Sequence, residues 1–101
     1  MNMQRKGPQL FPSDQRRLKD LGERFRLARL RRRFAMEMVA TRAGISRTTL
    51  YKVERGDFAV TLGVYLRVLA VYGLSEEVDR IAVDDALGRR LQDLALLPER
   101  S

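Results

Sequence analysis

The chain has 101 residues, enough for one domain with a modest core but not for two. Its 20 basic and 13 acidic side chains give a net charge of +7, which favours a negatively charged partner such as nucleic acid. The absence of cysteine and histidine excludes disulfides, zinc sites built on thiolates or imidazoles, and histidine-based catalysis within this chain. We therefore expect no metal, no cofactor and no enzymatic activity.

The charge is unevenly distributed along the chain. Residues 1–55 hold 15 basic and 5 acidic side chains, a net of +10, whereas residues 56–101 hold 5 and 8, a net of −3. This asymmetry indicates DNA on one side and a dimer or protein partner on the other. A difference that serves solubility alone is the alternative.

The N-terminal region predicts an arm rather than an export signal. Gly7, Pro8 and Pro12 interrupt regular structure, so residues 1–12 are expected to be flexible. Arg5 and Lys6 could follow a DNA groove, or the segment could be an idle tail. It lacks the apolar core of a secretory signal, and no run in the chain approaches the roughly 20 apolar residues of a membrane span. We expect a bacterial cytoplasmic protein associated with the nucleoid, without membrane contact.

A long first helix is predicted to open at Ser13 and Asp14 and to continue to about Arg33. Its inner face has helical spacing and consists of Leu18, Leu21, Phe25 and Ala28, with Leu27 and Leu30 beside it. Its outer face is rich in arginine: Arg24, Arg26, Arg29, Arg31, Arg32 and Arg33. We expect Arg31, Arg32 and Arg33 to reach DNA phosphates; a solvated helix face is the alternative.

Residues 36–56, MEMVATRAGISRTTLYKVERG, predict two short helices joined by a tight turn. Ala40 is small enough for the helices to cross closely, Gly44 permits the turn, and Ser46 suits the N-cap of the second helix. Gly56 suits its end. The apolar positions have the spacing of a shared core: Val39, Ala43, Ile45, Leu50 and Val53. This pattern is typical of a DNA-binding helix-turn-helix, and an ordinary helical hairpin without a ligand is the alternative.

The polar face of the second helix is predicted to read base pairs. Its members share one side of a helix: Arg47, Thr48, Tyr51 and Lys52. Arginine and lysine donate to guanine, and threonine can bond a base or touch a thymine methyl. Ser46 and Thr49 could hold phosphates through their hydroxyls. Tyr51 could equally be a surface aromatic packed on its neighbours, and for Glu54 and Arg55 a structural charge pair or cap is preferred to a base contact.

The C-terminal half predicts three further helices. The first spans about residues 62–72 with Thr61 as its N-cap, and it is apolar on two stripes: Leu62, Tyr65, Leu66 and Leu69, and Val64, Val68 and Val71. One stripe is expected to face the core and the other the last helix or a second copy of the chain. A short helix opens at Ser75, Glu76 and Glu77, with Val78 and Ile81 as its apolar residues.

The last helix is predicted to start at Asp84 and Asp85, with an apolar stripe of Leu87, Leu91 and Leu94. The stripe is core, dimer seam or docking surface for another protein. Pro98 ends the ordered region. The chain thus divides into an arm, residues 1–12, a DNA-binding domain, 13–73, a helical extension, 74–97, and a disordered tail, 98–101.

The segment 36–56 resembles the helix-turn-helix of the Cro and lambda-repressor family, also called the Xre family. The likeness covers about residues 18–73, the usual five-helix module of that family. The sequences ERGD at 54–57, VTLG at 60–63 and LGRRLQDL at 87–94 are also similar to HipB-type antitoxins. Those proteins repress their own operon and neutralise a HipA-like serine/threonine kinase toxin.

The resemblance implies roles for individual residues. Arg47, Thr48 and Lys52 match the family's base-reading positions, and Ser46 and Thr49 match positions that often touch phosphate. The first motif position, often a glutamine that contacts phosphate, is Met36 here. This departure shifts the expected phosphate contacts to Thr41, Arg42 and the basic first helix. The chain also lacks a clear C-terminal β-strand, through which some HipB proteins dimerise.

The expected fold is all-α: a five-helix lambda-repressor-like domain with a short additional C-terminal helix. The expected function is a homodimeric repressor of a palindromic double-stranded DNA operator, and a HipB-like antitoxin with a HipA-like kinase partner, whole or split. A stand-alone Xre-type regulator without a toxin is the alternative. An enzyme is disfavoured because Asp84 and Asp85, adjacent on a helix, would point about 100° apart and form no acid–base dyad.

Overall fold

The computed structural model describes residues 9–83 and 86–97, except for the side chains of residues 86 and 87. Five α-helices follow in chain order: α1 Pro12–Arg31, α2 Met36–Ala43, α3 Arg47–Glu54, α4 Leu62–Tyr72 and α5 Ala86–Leu96. A 3₁₀ helix, Ser75–Arg80, lies between α4 and α5, and the described ranges contain no strand. The all-α class and the additional C-terminal helix are therefore confirmed.

Several predictions from the sequence fall outside the described residues. They concern most of the arm, including Arg5 and Lys6, the helix start at Asp84 and Asp85, the side chain of Leu87, and the tail from Pro98 onward.

The predicted start of α1 at Ser13 is wrong by one residue. Pro12 occupies the first helical position, where its missing N–H costs no hydrogen bond. Phe11 is the N-cap residue, and its carbonyl accepts from the N–H groups of Asp14 and Gln15, both at 2.9 Å.

The predicted end of α1 is also too late. Arg33 has a left-handed φ of +55°, which stops the helix after Arg31. The N–H of Phe34 donates to the carbonyl of Arg29 at 3.1 Å, and that of Arg33 donates to Leu30 at 3.0 Å. This pair of bonds is the standard closure of a helix by a left-handed residue.

The helix-turn-helix segment has the predicted local structure. Gly44 ends α2 with φ +71°, and the N–H of Ile45 donates back to the carbonyl of Ala40 at 3.0 Å. Ser46 caps α3, since its hydroxyl oxygen accepts from the N–H of Thr49 at 3.0 Å. Four predicted apolar positions are buried, namely Val39, Ala43, Leu50 and Val53, and Ile45 is half-buried.

The predicted stripes of α4 are wrong. The buried residues are Tyr65, Val68 and Tyr72, which take one member from each predicted stripe. Spacings of three and four residues place these three on one side of a helix. Leu62, at 58% exposed, and Leu66, at 39%, lie outside the core. Val68 is fully buried, so it cannot belong to a dimer surface.

Aromatic rings join α4 to the rest of the core. The rings of Phe25 and Tyr65 meet edge to face with centroids 5.3 Å apart, and Tyr72 lies 6.5 Å from Phe25 and 6.4 Å from Phe34. Burial raises the pKa of the Tyr72 hydroxyl to about 12, so this residue stays neutral inside the core. These contacts join α1 and α4 in the core that α2 and α3 also line, with Val64 and Val71 half-buried at its edge.

Arg29 contradicts its predicted place on the exposed face of α1. Its Nε donates to Glu54 Oε2 at 2.7 Å and its Nη2 to Oε1 at 3.1 Å. The two side chains are only 11% and 6% exposed. The hydrogen bond to Glu54 raises the pKa of the Arg29 guanidinium. This two-point ion pair ties α1 to the C-terminal end of α3, so Glu54 has a structural role and its partner is Arg29 rather than Arg55.

Two glycines bring α1 unusually close to the end of α3. A Cβ on Gly22 would lie 2.6 Å from the nitrogen of Gly56 and 2.7 Å from the carbonyl oxygen of Glu54. A Cβ on Gly56 would collide with the backbone of Leu18. All of these neighbours are backbone atoms, which cannot rotate away. Glycine is therefore required on both sides of the contact.

We predict that Gly22→Ala destabilises the domain by about 1–3 kcal/mol, because the added methyl forces α1 away from α3. Urea unfolding followed by circular dichroism measures the effect. Gly63→Ala in α4 is the matched control, since its Cβ would meet nothing closer than 3.8 Å. The control should be neutral or stabilising by up to about 1 kcal/mol. Equal stability of the two variants would refute the close-contact argument.

α5 differs from the other helices because it does not pack into the core. Its three large apolar side chains in the described region, Leu91, Leu94 and Leu96, are between 65% and 77% exposed. The domain core is therefore complete without it.

Candidate nucleic-acid interface

The two sides of α3 have opposite character. Leu50, Val53 and Glu54 are buried against α1 and α2. The predicted base-reading residues, Arg47, Thr48, Tyr51 and Lys52, are all exposed on the other side. The structure brings these four together on the outward surface of one short helix. Eight residues are too few to form a stable helix alone, so the buried side and the caps hold this surface in shape.

The exposed face of α3 is strongly positive. Within residues 9–83 and 86–97, neither Arg47 nor Lys52 forms an ion pair. Arg55 adds a third cation at the end of the helix. Its Nη1 donates to the hydroxyl of Tyr51 at 3.0 Å, and its guanidinium lies 5.3 Å from the centre of the Tyr51 ring. This contact holds the tyrosine ring on the face and leaves its own O–H free to donate.

The two hydroxyls predicted to hold phosphate are engaged with each other. Ser46 Oγ donates to Thr49 Oγ1 at 2.9 Å while it accepts from the N–H of Thr49. Thr49 is half-buried. The hydroxyl of Thr49 keeps a proton for another acceptor. The main contribution of Ser46 is therefore to order the start of α3, where backbone N–H groups are available to an anion.

The three arginines at the end of α1 do not act as one group. Arg32 is half-buried: its Nη1 donates to the carbonyl of Ala28 at 2.9 Å, and its guanidinium lies 5.5 Å from the centre of the Tyr72 ring. Arg31 follows Gly22 by nine residues, or two and a half helical turns, so it points away from α3. It lines a pocket with Leu69 of α4. Arg33 is exposed in the loop just before α2.

The residues singled out on α2 differ in exposure. Thr41 and Arg42 are both exposed, and Arg42 lies on the side of α2 that borders Arg67 and Val71 of α4. Met36, at the first position of α2, is half-buried and packs against the core. It therefore supports α2 from inside instead of presenting a polar group to the surface.

Arg67 supports the turn between α2 and α3, a role that the sequence analysis missed. Its Nη1 donates to the carbonyl of Ala43 at 3.2 Å, and the same nitrogen lies 2.8 Å from where a Cβ of Gly44 would be. It thereby satisfies a carbonyl at the C-terminus of α2 with a positive charge. The available signal was a single cation within the apolar sequence LGVYLRVLAVY of α4.

The inward position of Gly22 and Arg29 on α1 was also not predicted from the sequence. Leu18, Gly22, Phe25 and Arg29 follow one another at spacings of four, three and four, so they share one side of α1. That spacing was a signal that both residues face inward. Their residue types, a glycine and an arginine, concealed it.

Comparison with known proteins gives one match. A family model described as a helix-turn-helix domain matches residues 20–81, more than half of the chain. Neither the curated proteins nor the solved structures contain a significant match. The matched region includes α2, α3, α4 and the 3₁₀ helix, and α5 lies beyond it.

The described ranges lack two further features. None of their helices combines the length and apolarity needed to cross a bilayer. The same ranges hold no cluster of three or more acidic side chains that could bind a metal ion.

Proposed function

We propose that this chain, which belongs to the helix-turn-helix domain family, is a dimeric transcriptional repressor that reads a palindromic DNA operator. Family membership supports the broader role, a DNA-binding regulator. The observation that carries the proposal is the exposed face of α3, where neither Arg47 nor Lys52 has an acidic partner among the described residues. A positive helix face backed by a rigid core is what the major groove requires.

In this proposal, α3 lies in the major groove with its N-terminal end toward the bases. Arg47 and Lys52 donate to O6 and N7 of guanine, and Thr48 contacts a base edge or a thymine methyl. Tyr51, held by Arg55, contacts the groove wall. Arg33, Thr41 and the backbone N–H groups at the start of α3 bind phosphates. Two copies place their α3 helices about one turn of the DNA helix apart, or a multiple of it. This two-fold arrangement requires a palindromic site.

Arg47→Ala tests the base contact. We expect it to cost about 1–3 kcal/mol on the operator and to relax the preference at one base position. The operator is first selected from a random DNA library, and fluorescence anisotropy then compares every single-base variant. Arg31→Ala is the matched control, because Arg31 points away from α3. Base discrimination that is unchanged in Arg47→Ala would remove Arg47 from the reading face.

Arg33→Gly tests the phosphate contact with two opposing readouts. Arginine at a left-handed φ is strained by roughly 1–2 kcal/mol and glycine is not, so the variant should gain about 1 kcal/mol of folding stability. Its affinity should nevertheless fall equally on all DNA sequences. The slope of the logarithm of the binding constant against the logarithm of salt concentration should be smaller in magnitude by about one. The slope should stay the same in Arg31→Ala. A more stable protein with an unchanged slope would show that Arg33 touches no phosphate.

The finer proposal is a HipB-like antitoxin that represses its own operon and binds a HipA-like kinase. It is supported by the likeness of residues 87–94 to those proteins. It is also supported by a net acidic surface on the 3₁₀ helix, where Glu76, Glu77 and Asp79 are exposed beside Arg80. We assign the kinase contact to this surface because it lies in the acidic half of a basic chain. The alternative is a stand-alone Xre-type regulator with no toxin partner.

Co-purification distinguishes these two roles. Tagged full-length chain is purified from its native host after nuclease treatment, and bound proteins are identified by mass spectrometry. We expect a HipA-like kinase, whole or split, in near-equal amount. The double variant Glu76→Lys, Asp79→Lys should lose the kinase, and circular dichroism checks that it still folds. Recovery of the chain alone would contradict the antitoxin role and favour the stand-alone regulator.

A further inference from the structure

An apolar groove lies beside the DNA-binding unit, between α1, α4 and the 3₁₀ helix. Its walls include Leu18 and Leu21 of α1, Leu62 of α4, Val78 of the 3₁₀ helix, and Ile81. Leu62 is 58% exposed and Ile81 is 59% exposed. Large apolar side chains grouped in a concave surface indicate a contact that is not formed within this copy of the chain.

α5 has an apolar stripe that is also uncovered. Leu91 is 65% exposed and Leu94 is 72% exposed, and their spacing of three residues places them on one side of the helix. The chain turns at Ala82, which has a left-handed φ of +64°, directly after Ile81 at the edge of the groove. α5 then continues with its leucines in solvent and not in its own groove.

We propose that α5 of a second copy occupies this groove, and that the two copies exchange their α5 helices symmetrically. A two-fold exchange covers both the groove and the leucine stripe of each chain, and it closes without leaving a further site open. The choice of a second copy rests on the proposed function, because a palindromic operator needs two chains. Of the residues predicted for a dimer or partner surface, this interface keeps Leu91 and Leu94 and omits Val68, which is buried.

The charges of the two surfaces are complementary. Glu77 lines the groove, and Glu76 and Asp79 lie next to it on the 3₁₀ helix. α5 carries two adjacent arginines, and Arg90 is exposed beside the leucine stripe. With Arg80 included, Ser75–Arg80 has a net charge of −2, and with Asp93 included, α5 has a net charge of +1, so the two surfaces attract each other.

Cysteine cross-linking tests the arrangement, because the native chain contains no cysteine. We mix two single variants, Leu62→Cys in the groove and Leu94→Cys in α5, and oxidise them with copper phenanthroline. The expected product is a disulfide-linked dimer with one chain of each kind. Leu30→Cys, which is exposed on α1 and does not line the groove, is the control partner and should not link to Leu94→Cys. Absence of the mixed dimer overturns the proposal.

The chain carrying both Leu62→Cys and Leu94→Cys identifies the occupant. Covalent dimers whose disulfides join position 62 to position 94 in peptide mapping support exchange between copies. A monomer with an internal disulfide would show that α5 enters its own groove, and Leu94→Cys that links only to itself would show pairing of two α5 helices. Either of these two results overturns the proposal.

Sedimentation without DNA separates this inference from the function. Leu91→Glu should raise the dissociation constant of the dimer by at least about tenfold, and Leu30→Glu should not change it. Circular dichroism checks that both variants fold. If Leu91→Glu leaves the dimer intact while the native chain binds its operator, the inference fails and the function stands. If the exchange occurs but the chain binds no DNA, the inference stands and the function fails.

Discussion

The buried ion pair between Arg29 and Glu54 is the interaction on which the position of α3 and its exposed positive face depend. It joins α1 to the end of α3 at the point where Gly22 and Gly56 bring the two backbones together. Loss of one partner would leave a buried charge unpaired, which typically costs 3–5 kcal/mol. Because α3 is only eight residues long, its position comes from this contact and not from its own helical stability. Any loosening here therefore moves the exposed face of α3.

A charged side chain must either be paired inside the protein or remain in solvent, and the arginines of this chain fall into these two groups. Arg29 is buried with a carboxylate, and Arg67 donates a hydrogen bond to a carbonyl at the C-terminal end of α2. Arg32 lies half-buried against a carbonyl and an aromatic ring. Arg33 and Arg47 remain exposed. A basic sequence thus divides into cations that build the domain and cations that are available to a polyanion, and its net charge overstates the second group.

Much of the fold was predictable because its signals are local. The turn at Gly44, the cap at Ser46 and the alternation of buried and exposed residues in α3 depend only on neighbours within a few positions. The face formed by Arg47, Thr48, Tyr51 and Lys52 follows directly from that periodicity. Even the errors at the ends of α1 were of one or two residues, where Pro12 and the left-handed Arg33 decide the boundary.

The sequence by itself therefore determined the helices, the helix-turn-helix and the residues of its exposed face. Only the tertiary structure decided the partner of Arg29, which lies 25 residues away, and the rotation of α4, which buries Val68 and exposes Leu62. Local periodicity can place side chains on a face, but it cannot say which face meets another helix. That choice depends on the close approach of α1 and α3 and on the ring packing of Phe25 with Tyr65, interactions between residues far apart in the chain.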